Sequence, residues 1–465
     1  MDSNKGCGFS RGKPPLHFPG KVAMADMSAD RHRVCVVGAG PAGLAMGRAL
    51  LDAGISFDIY ERNPGVGGIW NPDHEGSPVY QSAHFISSKT AAMSTFRGFP
   101  FPDSAPTYPS HRDVRAYLEG FAERAGLMRH IRLSCGVSSA SPIAKGWRVK
   151  LANGDVKNYQ ALVCASGTLW DPVAPEIPGS FSGEVRHSVT YRASDEVVDK
   201  RVLIVGAGNS GVDIACDAAR SAKKVLISLR RGYWFVPKFI RGIPTDIFLR
   251  SHESLPSWAM PPDAADLLEL LVGKPAAYGL PEPDHAPFTS HPIMNSEILH
   301  HIGHGRIGPR GSIVTAMNDE IEFSDGKRDR IDEIILATGY RASIPFLDPQ
   351  IVNYADGNRP DFWLRIFHRS IPNLYGLGFI ETNSSVYRHF DLGAELIAKH
   401  IGSRRNGSRG ATSLDAMIAS GDEPDLTGGI ARVASARHQG YVDSRTYERA
   451  MIETTNTYFN NESSQ

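Results

Sequence analysis

The chain has 465 residues, more than one compact core normally contains, so we expect two large domains. Lys plus Arg and Asp plus Glu each number 50, so no global positive field exists to attract nucleic acid or an anionic membrane. Hydrophobic residues make up 41% and charged residues 22%, which excludes a wholly disordered or fibrous protein.

The first 30 residues are rich in Gly, Ser, Lys and Pro and contain no apolar core of a signal peptide. We therefore predict a flexible extension over residues 1–30. The most apolar region, residues 34–51, is interrupted by glycines, Pro41 and Arg48, so we expect no membrane anchor.

The cysteines are odd in number and contain no Cys-x-x-Cys pair; they are Cys7, Cys35, Cys135, Cys164 and Cys216. We therefore expect no disulfide framework, and a cytoplasmic location fits this usage best. The missing pair also argues against a disulfide reductase, which needs two redox-active cysteines.

A first nucleotide-binding pattern begins at residues 33–37, whose β-branched residues predict a buried parallel strand. A glycine motif and a helical pattern through Leu51 follow; the motif's glycines are Gly38, Gly40 and Gly43. Such glycines allow a tight turn, close approach of a pyrophosphate and close helix–strand packing. The N-terminus of the helix then stabilises phosphate charge.

A carboxylate completes this first pattern. The strand predicted over residues 57–60 ends at Glu61, which lies 23 residues after Gly38. At that spacing an acid accepts hydrogen bonds from ribose hydroxyls, so this unit suits FAD.

The pattern recurs from residue 201. An apolar strand over residues 201–205 precedes a second motif and a helix through Arg220; the motif supplies Gly206, Gly208, Asn209, Ser210 and Gly211. The position that Glu61 takes in the first unit is Leu229 here, and Arg230 and Arg231 follow it. Because an arginine pair holds a 2′-phosphate that a carboxylate would repel, the second unit suits NADPH.

Two further strands end in glycine turns, over residues 161–168 and 331–340, on either side of the second unit. They fit places where the chain leaves one domain and re-enters it. We therefore predict an α/β fold with two Rossmann-like dinucleotide-binding domains, the NADPH domain inserted in the FAD domain. The boundaries we predict are 31–177 for the first part of the FAD domain, 178–328 for the NADPH domain, and 329–465 for the rest of the FAD domain and the C-terminal segment.

The residues before the second unit carry a family signature. Phe181, Gly183, His187 and Tyr191 match the motif Phe-x-Gly-x-x-x-His-x-x-x-Tyr/Phe of the class B flavin-containing monooxygenases. Residues 61–70, 99–102, 336–340 and 373–378 also resemble segments of that family. Typical Baeyer–Villiger monooxygenases end the motif with Trp-Pro, whereas this chain has Tyr191-Arg192, so the resemblance to them is weaker.

The resemblance implies FAD and NADPH as cofactors, and dioxygen and a small molecule as substrates. In this family a C4a-hydroperoxide of the reduced flavin oxygenates a soft nucleophile, typically an amine or sulfide, without a metal. It also implies further FAD contacts, at Arg62, Gly68, Trp70, Thr338 and Gly339. A homodimer is compatible with the sequence, which does not decide the oligomeric state.

One segment departs from the family pattern. The family commonly has Asn-Ser-Ser-Lys beside the flavin, whereas Ile86 replaces the Asn here, before Ser87-Ser88-Lys89. The flavin-proximal candidates are Ile86, Ser87 and His84, with no catalytic residue assigned with certainty. Ser87 could equally cap a turn and His84 could equally be a packing residue.

Three alternatives remain open from the sequence. The missing Asn favours an NADPH oxidase that releases H₂O₂, an atypical Baeyer–Villiger enzyme would oxygenate ketones, and a non-catalytic redox sensor would keep both nucleotide motifs. His300, His301 and His304 share a predicted helix, but no third ligand from elsewhere is evident, so we predict no metal site.

Overall fold

The computed structural model describes residues 32–249, 263–352, 354–355, 359–433 and 440–460. The extension predicted for residues 1–30 lies outside the described residues. So does the beginning of the Gly- and Pro-rich stretch that runs from residue 252 to 292.

The strands up to the second nucleotide unit are β1 (Val34–Val37), β2 (Phe57–Tyr60), β3 (Ile131–Arg132), β4 (Val137–Ile143), β5 (Gly146–Leu151), β6 (Val156–Tyr159), β7 (Ala161–Cys164), β8 (Asp171–Pro172), β9 (Gly179–Phe181) and β10 (Glu184–His187). The later strands are β11 (Arg201–Val205), β12 (Lys224–Ser228), β13 (Phe239–Ile240), β14 (Ile243–Pro244), β15 (Ile307–Arg310), β16 (Ile313–Asn318), β17 (Glu320–Phe323), β18 (Arg328–Arg330), β19 (Glu333–Leu336), β20 (Tyr340–Arg341), β21 (Tyr354–Ala355), β22 (Arg359–Pro360), β23 (Phe362–Trp363), β24 (Phe367–His368), β25 (Leu374–Gly376), β26 (Glu381–Thr382) and β27 (Tyr441–Val442).

The α-helices are α1 (Pro41–Asp52), α2 (His111–Arg124), α3 (Asn209–Ala218), α4 (Thr245–Phe248), α5 (Ala264–Val272), α6 (Glu297–Gly303), α7 (Pro349–Val352), α8 (Tyr387–Asn406), α9 (Arg409–Ser420) and α10 (Ser444–Thr455). Helix α5 lies in the Gly- and Pro-rich stretch, whose composition is otherwise typical of irregular structure. Its apolar run, Leu267-Leu268-Glu-Leu270-Leu271, supplies a helical pattern that the flanking glycines and prolines had masked.

The first large sheet has the strand order β23-β24-β25-β7-β1-β2-β3. Its central strands are parallel, and all four residues of β1 are buried. A strand covered on both faces must be apolar throughout, which is why this run contains no alternation. Helix α1 packs against α8 on this sheet.

The second large sheet is wholly parallel, with the order β10-β19-β11-β12-β15. Its central strand, β11, leads into the second glycine motif and α3, as β1 leads into the first glycine motif and α1. Strand β19 belongs to this sheet although it lies after residue 328, the predicted end of the NADPH domain. The second sheet therefore extends past that boundary.

The chain passes between the sheets at one place. It leaves the first sheet after β7, runs through β8, and returns after β19 through β20, which pairs antiparallel with β8. The predicted fold class, two Rossmann-like units with one inserted in the other, is therefore confirmed.

Candidate functional site

The first glycine motif is held in place by the neighbouring strand. Gly38 has φ +106°, and a Cβ there would lie 2.5 Å from the carbonyl oxygen of Ala165, just after β7. A Cβ at Gly43 would lie 1.9 Å from the oxygen of Gly38. Only glycine fits either position, because a Cβ would clash with these oxygens. At Gly38 a side chain would also be strained at this φ.

The start of α1 is open to an anion. Its N-cap is Gly40, no side chain caps its amides, and no acid lies in its first turn. Gly40 also packs closely against the turn at Gly68, where a Cβ would lie 2.9 Å from the Gly40 Cα. Bare amides beside two glycines fit a pyrophosphate, because neither position offers a side chain that would obstruct it.

Glu61 lies at the rim of the same loop and is buried. Its Oε2 accepts a 2.8 Å hydrogen bond from the Ala39 amide, and its Oε1 accepts bonds from the Asn63 amide (2.9 Å) and Nδ2 (3.0 Å). Close by in the fold, Ser166 Oγ follows β7 and is buried without a hydrogen-bond partner. A fixed carboxylate and an unsatisfied hydroxyl near uncapped amides form a polar site that fits the ribose and phosphates of FAD.

The second glycine motif repeats this construction. Gly206 has φ +105°, and its Cβ would lie 2.6 Å from the oxygen of Ala337; a Cβ at Gly211 would lie 2.1 Å from the Gly206 oxygen. Gly208 is the N-cap of α3, again without a side-chain cap. Ser210 is exposed beside it.

Asn209 has a role that its motif position did not predict. Its Nδ2 donates to the Pro292 oxygen at 3.0 Å, and its Oδ1 accepts from the Met294 amide at 2.9 Å. The side chain therefore fixes residues 292–294 against the start of α3.

Arg230 and Arg231 follow β12, where the second unit lacks a carboxylate. Arg230 is exposed and Arg231 is half-buried, with its guanidinium 5.6 Å from the Tyr233 ring centroid. Within the described ranges neither forms an ion pair with an acid. The charge of Arg231 acts on Asp284, whose pKa it helps to lower after the larger effect of His285, and Arg230 is exposed and open to an anion.

Thr338 and Gly339 lie where the chain crosses back to the first sheet. Thr338 Oγ1 donates to the Val173 oxygen at 2.5 Å, and the Gly339 oxygen contacts His187 Nε2 at 3.1 Å. These bonds tie the two crossing segments together. They leave the predicted FAD contacts of both residues untested.

Arg62 and Trp70 extend the first loop. Arg62 lies over the Trp170 ring at 4.6 Å, and Trp70 packs edge-on against Phe85 at 5.6 Å. Trp70 thus brings the first loop into contact with the segment that contains the flavin-proximal candidates.

The segment of residues 84–88 is held by a local contact and by a partner far away in sequence. His84 Nδ1 contacts the Ser82 oxygen at 3.2 Å, Ile86 is half-buried and Ser87 is buried. Ser88 is fully buried and donates from its amide (2.7 Å) and hydroxyl (2.9 Å) to Asp246 at the start of α4. The structure therefore places the segment between the two large sheets.

A buried acidic network connects the same segment to α3. Asp213 accepts from Tyr80 Oη (3.2 Å) and Asn295 Nδ2 (2.6 Å). Burial raises the pKa of Asp213 to about 6. Asp217, one turn later, accepts from Ser82 Oγ at 2.8 Å and from Tyr191, the last residue of the family motif.

Sequence reasoning missed Asp213, Asp246 and Lys238 at this junction. Lys238 could have been noticed, because it is the one charge in the aromatic and apolar run of residues 233–240. The two acids gave no signal, since Asp213 lies within the helix of the second motif and Asp246 lies in a single helical turn just after β14. In the part of the chain that is described, no cluster of three or more His, Cys, Asp or Glu residues is arranged to hold a metal, and no helix is long and apolar enough to span a membrane.

Known proteins resemble this chain in sequence and in fold. The sequence model of the flavin-binding monooxygenase-like family matches residues 31–417. Flavin-containing monooxygenase 1 of Homo sapiens is 32% identical over 379 residues, covering 76% of this chain and 70% of that protein. The structure of S-allyl-L-cysteine S-oxygenase from Allium sativum superposes with a TM-score of 0.63 at 22% identity, covering 91% of this chain and 88% of that one. The open crystal structure of cyclohexanone monooxygenase superposes with a TM-score of 0.66 at 18% identity, covering 92% and 99%.

Proposed function

Because this chain belongs to the flavin-binding monooxygenase-like family and is a flavin-dependent monooxygenase, we propose that it oxygenates a small amine or sulfide with NADPH and O₂. The observation that carries the proposal is the contrast between the two nucleotide loops. Glu61 directly follows the second strand of the first unit, whereas Arg230 and Arg231 come after the second strand of the other.

The two loops favour different cofactors. A buried carboxylate beside uncapped amides favours the unphosphorylated ribose of FAD at the first loop. Two arginines that form no ion pair within the described residues favour the 2′-phosphate of NADPH at the second loop. On this basis we assign Gly38, Gly40 and Gly43 to FAD, and Gly206, Gly208 and Gly211 to NADPH.

FAD, when bound, supplies the redox chemistry that couples NADPH oxidation to activation of dioxygen. The protein contributes position and shielding. Trp70 and Phe85 pack together next to Ile86, so an apolar wall limits the access of water there. The Ser88–Asp246 contact holds this segment against the second unit, which keeps the two cofactor sites in a fixed relation.

No side chain in this arrangement is needed as a nucleophile. Ser88 is committed to Asp246, and Asp217 is committed to Tyr191 and Ser82. The residues therefore act by binding and orienting, and substrate choice depends on the lining of the junction between the sheets.

A substrate panel tests the proposal. Purified FAD-containing enzyme is mixed with NADPH and one of several amines, sulfides, indole or ketones, and NADPH consumption, oxygenated product and H₂O₂ are measured in parallel. We expect an N- or S-oxide formed in proportion to NADPH consumed. NADPH oxidation with no oxygenated product from any compound would reject the proposal.

Ile86 supports a second function, that of an NADPH oxidase. Its side chain offers no hydrogen bond where relatives place an amide, so loss of the activated oxygen as H₂O₂ is the competing outcome. The same panel separates the two, because an oxidase releases one H₂O₂ per NADPH whatever the substrate. Lactone formation from a ketone would instead indicate Baeyer–Villiger chemistry.

A further inference from the structure

Lys238 is a half-buried cation at the junction of the two units. Its backbone oxygen accepts from the Thr245 amide at 2.9 Å and from the Tyr108 hydroxyl at 2.5 Å, so its position is fixed from two sides. Tyr108 precedes the segment that pairs with His84 and Phe85. Lys238 is thereby attached to the flavin-proximal segment of the first unit.

The residues just before Lys238 contact the second unit. The Val236 amide donates to the Ile293 oxygen at 2.8 Å, and the adjacent Pro292 oxygen accepts from Asn209 at the start of α3. Lys238 therefore lies between the predicted nicotinamide nucleotide loop and the predicted flavin edge.

The charge of Lys238 is not neutralised by the surrounding protein. Within the described residues its Nζ forms no ion pair; the nearby Asp246 carboxylate accepts hydrogen bonds from Ser88 rather than from Lys238. Desolvation lowers the pKa of Lys238 to about 8, and only Glu297 acts to raise it. An ammonium group held in this environment gains stability when an anion binds it.

Two aromatic rings lie on one side of this cation. Its Nζ lies 5.2 Å from the centroid of the Tyr108 ring, and Phe239 packs edge-on against the same ring at 5.3 Å. Phe239 itself is 48% exposed, which is unusual for a phenylalanine next to a buried segment. A cation beside exposed aromatic surface fits a ligand with a charged end and an apolar body.

We propose that Lys238 binds the carboxylate of the substrate while Tyr108 and Phe239 contact its apolar part, so that the enzyme prefers sulfides or amines that carry a carboxylate. This inference rests on the proposed oxygenation of sulfides and amines. The alternative source of an anion at this place is the pyrophosphate of the nicotinamide nucleotide, and the experiment separates the two.

The test compares 3-(benzylsulfanyl)propanoate with its methyl ester. Each is titrated by calorimetry into the oxidised FAD-containing enzyme with NADP⁺, where no turnover occurs. A charge-assisted hydrogen bond lost at Lys238→Met is expected to weaken carboxylate binding roughly 10- to 100-fold and to change ester binding by less than about threefold. Lys238→Arg should restore the preference for the carboxylate, because it keeps the charge.

Lys223→Met is the matched control, since it removes the same charge from an exposed position just before β12. Wild-type enzyme that binds acid and ester equally well overturns the proposal without any variant. Equal loss of both ligands in Lys238→Met, or a tenfold weaker affinity for NADP⁺ with ligand binding unchanged, also overturns it.

The binding measurement stands apart from turnover. If wild-type enzyme binds the acid selectively but forms no sulfoxide from acid or ester, the proposed oxygenation fails while the role of Lys238 holds. If sulfoxide forms from both at equal kcat/KM with equal affinities, the role of Lys238 fails while oxygenation holds.

Discussion

Tyr191 and Asp217 form a buried hydrogen bond of 2.7 Å between the segment that enters the second sheet and helix α3. Asp217 also accepts from Ser82, so one carboxylate joins the family motif, α3 and the segment before the flavin-proximal residues. The geometry gives the motif's final position a physical role, which is to hold these three parts together.

Removing the Tyr191 hydroxyl should therefore destabilise the fold. Tyr191→Phe leaves a buried carboxylate with one donor fewer, and we expect the free energy of unfolding to fall by about 1–3 kcal/mol. Urea denaturation of the FAD-containing protein measures this, with Tyr458→Phe as the control. Equal stability of both variants would show that Asp217 is satisfied without Tyr191.

Gly40→Val should abolish FAD binding. Its side chain would occupy the space between α1 and the turn at Gly68, where the pyrophosphate is predicted. The flavin content of the purified variant, from absorbance near 450 nm, is the measurement. Gly402→Ala, at a helical glycine with open space around it, should retain FAD, and normal flavin in Gly40→Val would mean that the site is misplaced.

Arg230 and Arg231 should determine the choice of nicotinamide nucleotide. Charge-assisted hydrogen bonds contribute about 1.5–3 kcal/mol each, so changing both to Ala should reduce the NADPH-to-NADH ratio of kcat/KM at least tenfold. The ratio is measured from flavin reduction under anaerobic conditions. Arg306→Ala, which removes an exposed charge of the same unit, should leave it unchanged. An unaltered ratio in the double variant would count against the assignment.

Ile86→Asn should reduce the leakage of H₂O₂. The added amide supplies a hydrogen bond that the family places beside the flavin, worth about 0.5–1.5 kcal/mol, or up to about a tenfold lower ratio of peroxide to NADPH. Ile86→Leu keeps an apolar wall and serves as the control. More peroxide from Ile86→Asn would mean that exclusion of water matters more, and no change would place Ile86 away from the flavin.

The free energy of unfolding should fall as the pH rises from 4 to 6, in part because of Asp213. Burial raises its pKa from 3.8 to about 6, so the folded protein retains a proton that the unfolded chain loses as the pH rises through this window. The stability lost through Asp213 over this pH window is about 3 kcal/mol. Asp213→Asn should flatten the profile, measured by denaturation at several pH values, whereas the exposed Asp52→Asn should not. Parallel curves for Asp213→Asn and wild type would contradict this.

The fold was predictable because its signals are local. The strand, glycine motif, helix and second strand of each unit follow one another within about 30 residues, and the structure has them in that order. The strands at Ala161–Cys164 and Glu333–Leu336 were likewise predicted from short apolar runs ending in glycine turns. Each pairs with the strand that precedes the glycine motif of its unit, β1 and β11 respectively.

The junction between the units was not predictable in the same way. Ser88 and Asp246 are 158 positions apart, and Tyr80 and Asp213 are 133 apart. Neither spacing leaves a periodic or compositional trace, because each partner alone is an ordinary polar residue in a loop or helix. The resemblance to a family supplied the neighbourhood of Ile86, but not the contacts that hold it.

The pairing of β8 with β20 places the entry and the exit of the second nucleotide unit side by side, with Pro172 opposite Tyr340. A segment whose two ends are adjacent can be exchanged as a cassette, since a short bridge at one point closes the remaining chain. Transplanting a relative's unit at this crossing would therefore change nucleotide preference while leaving the first sheet intact.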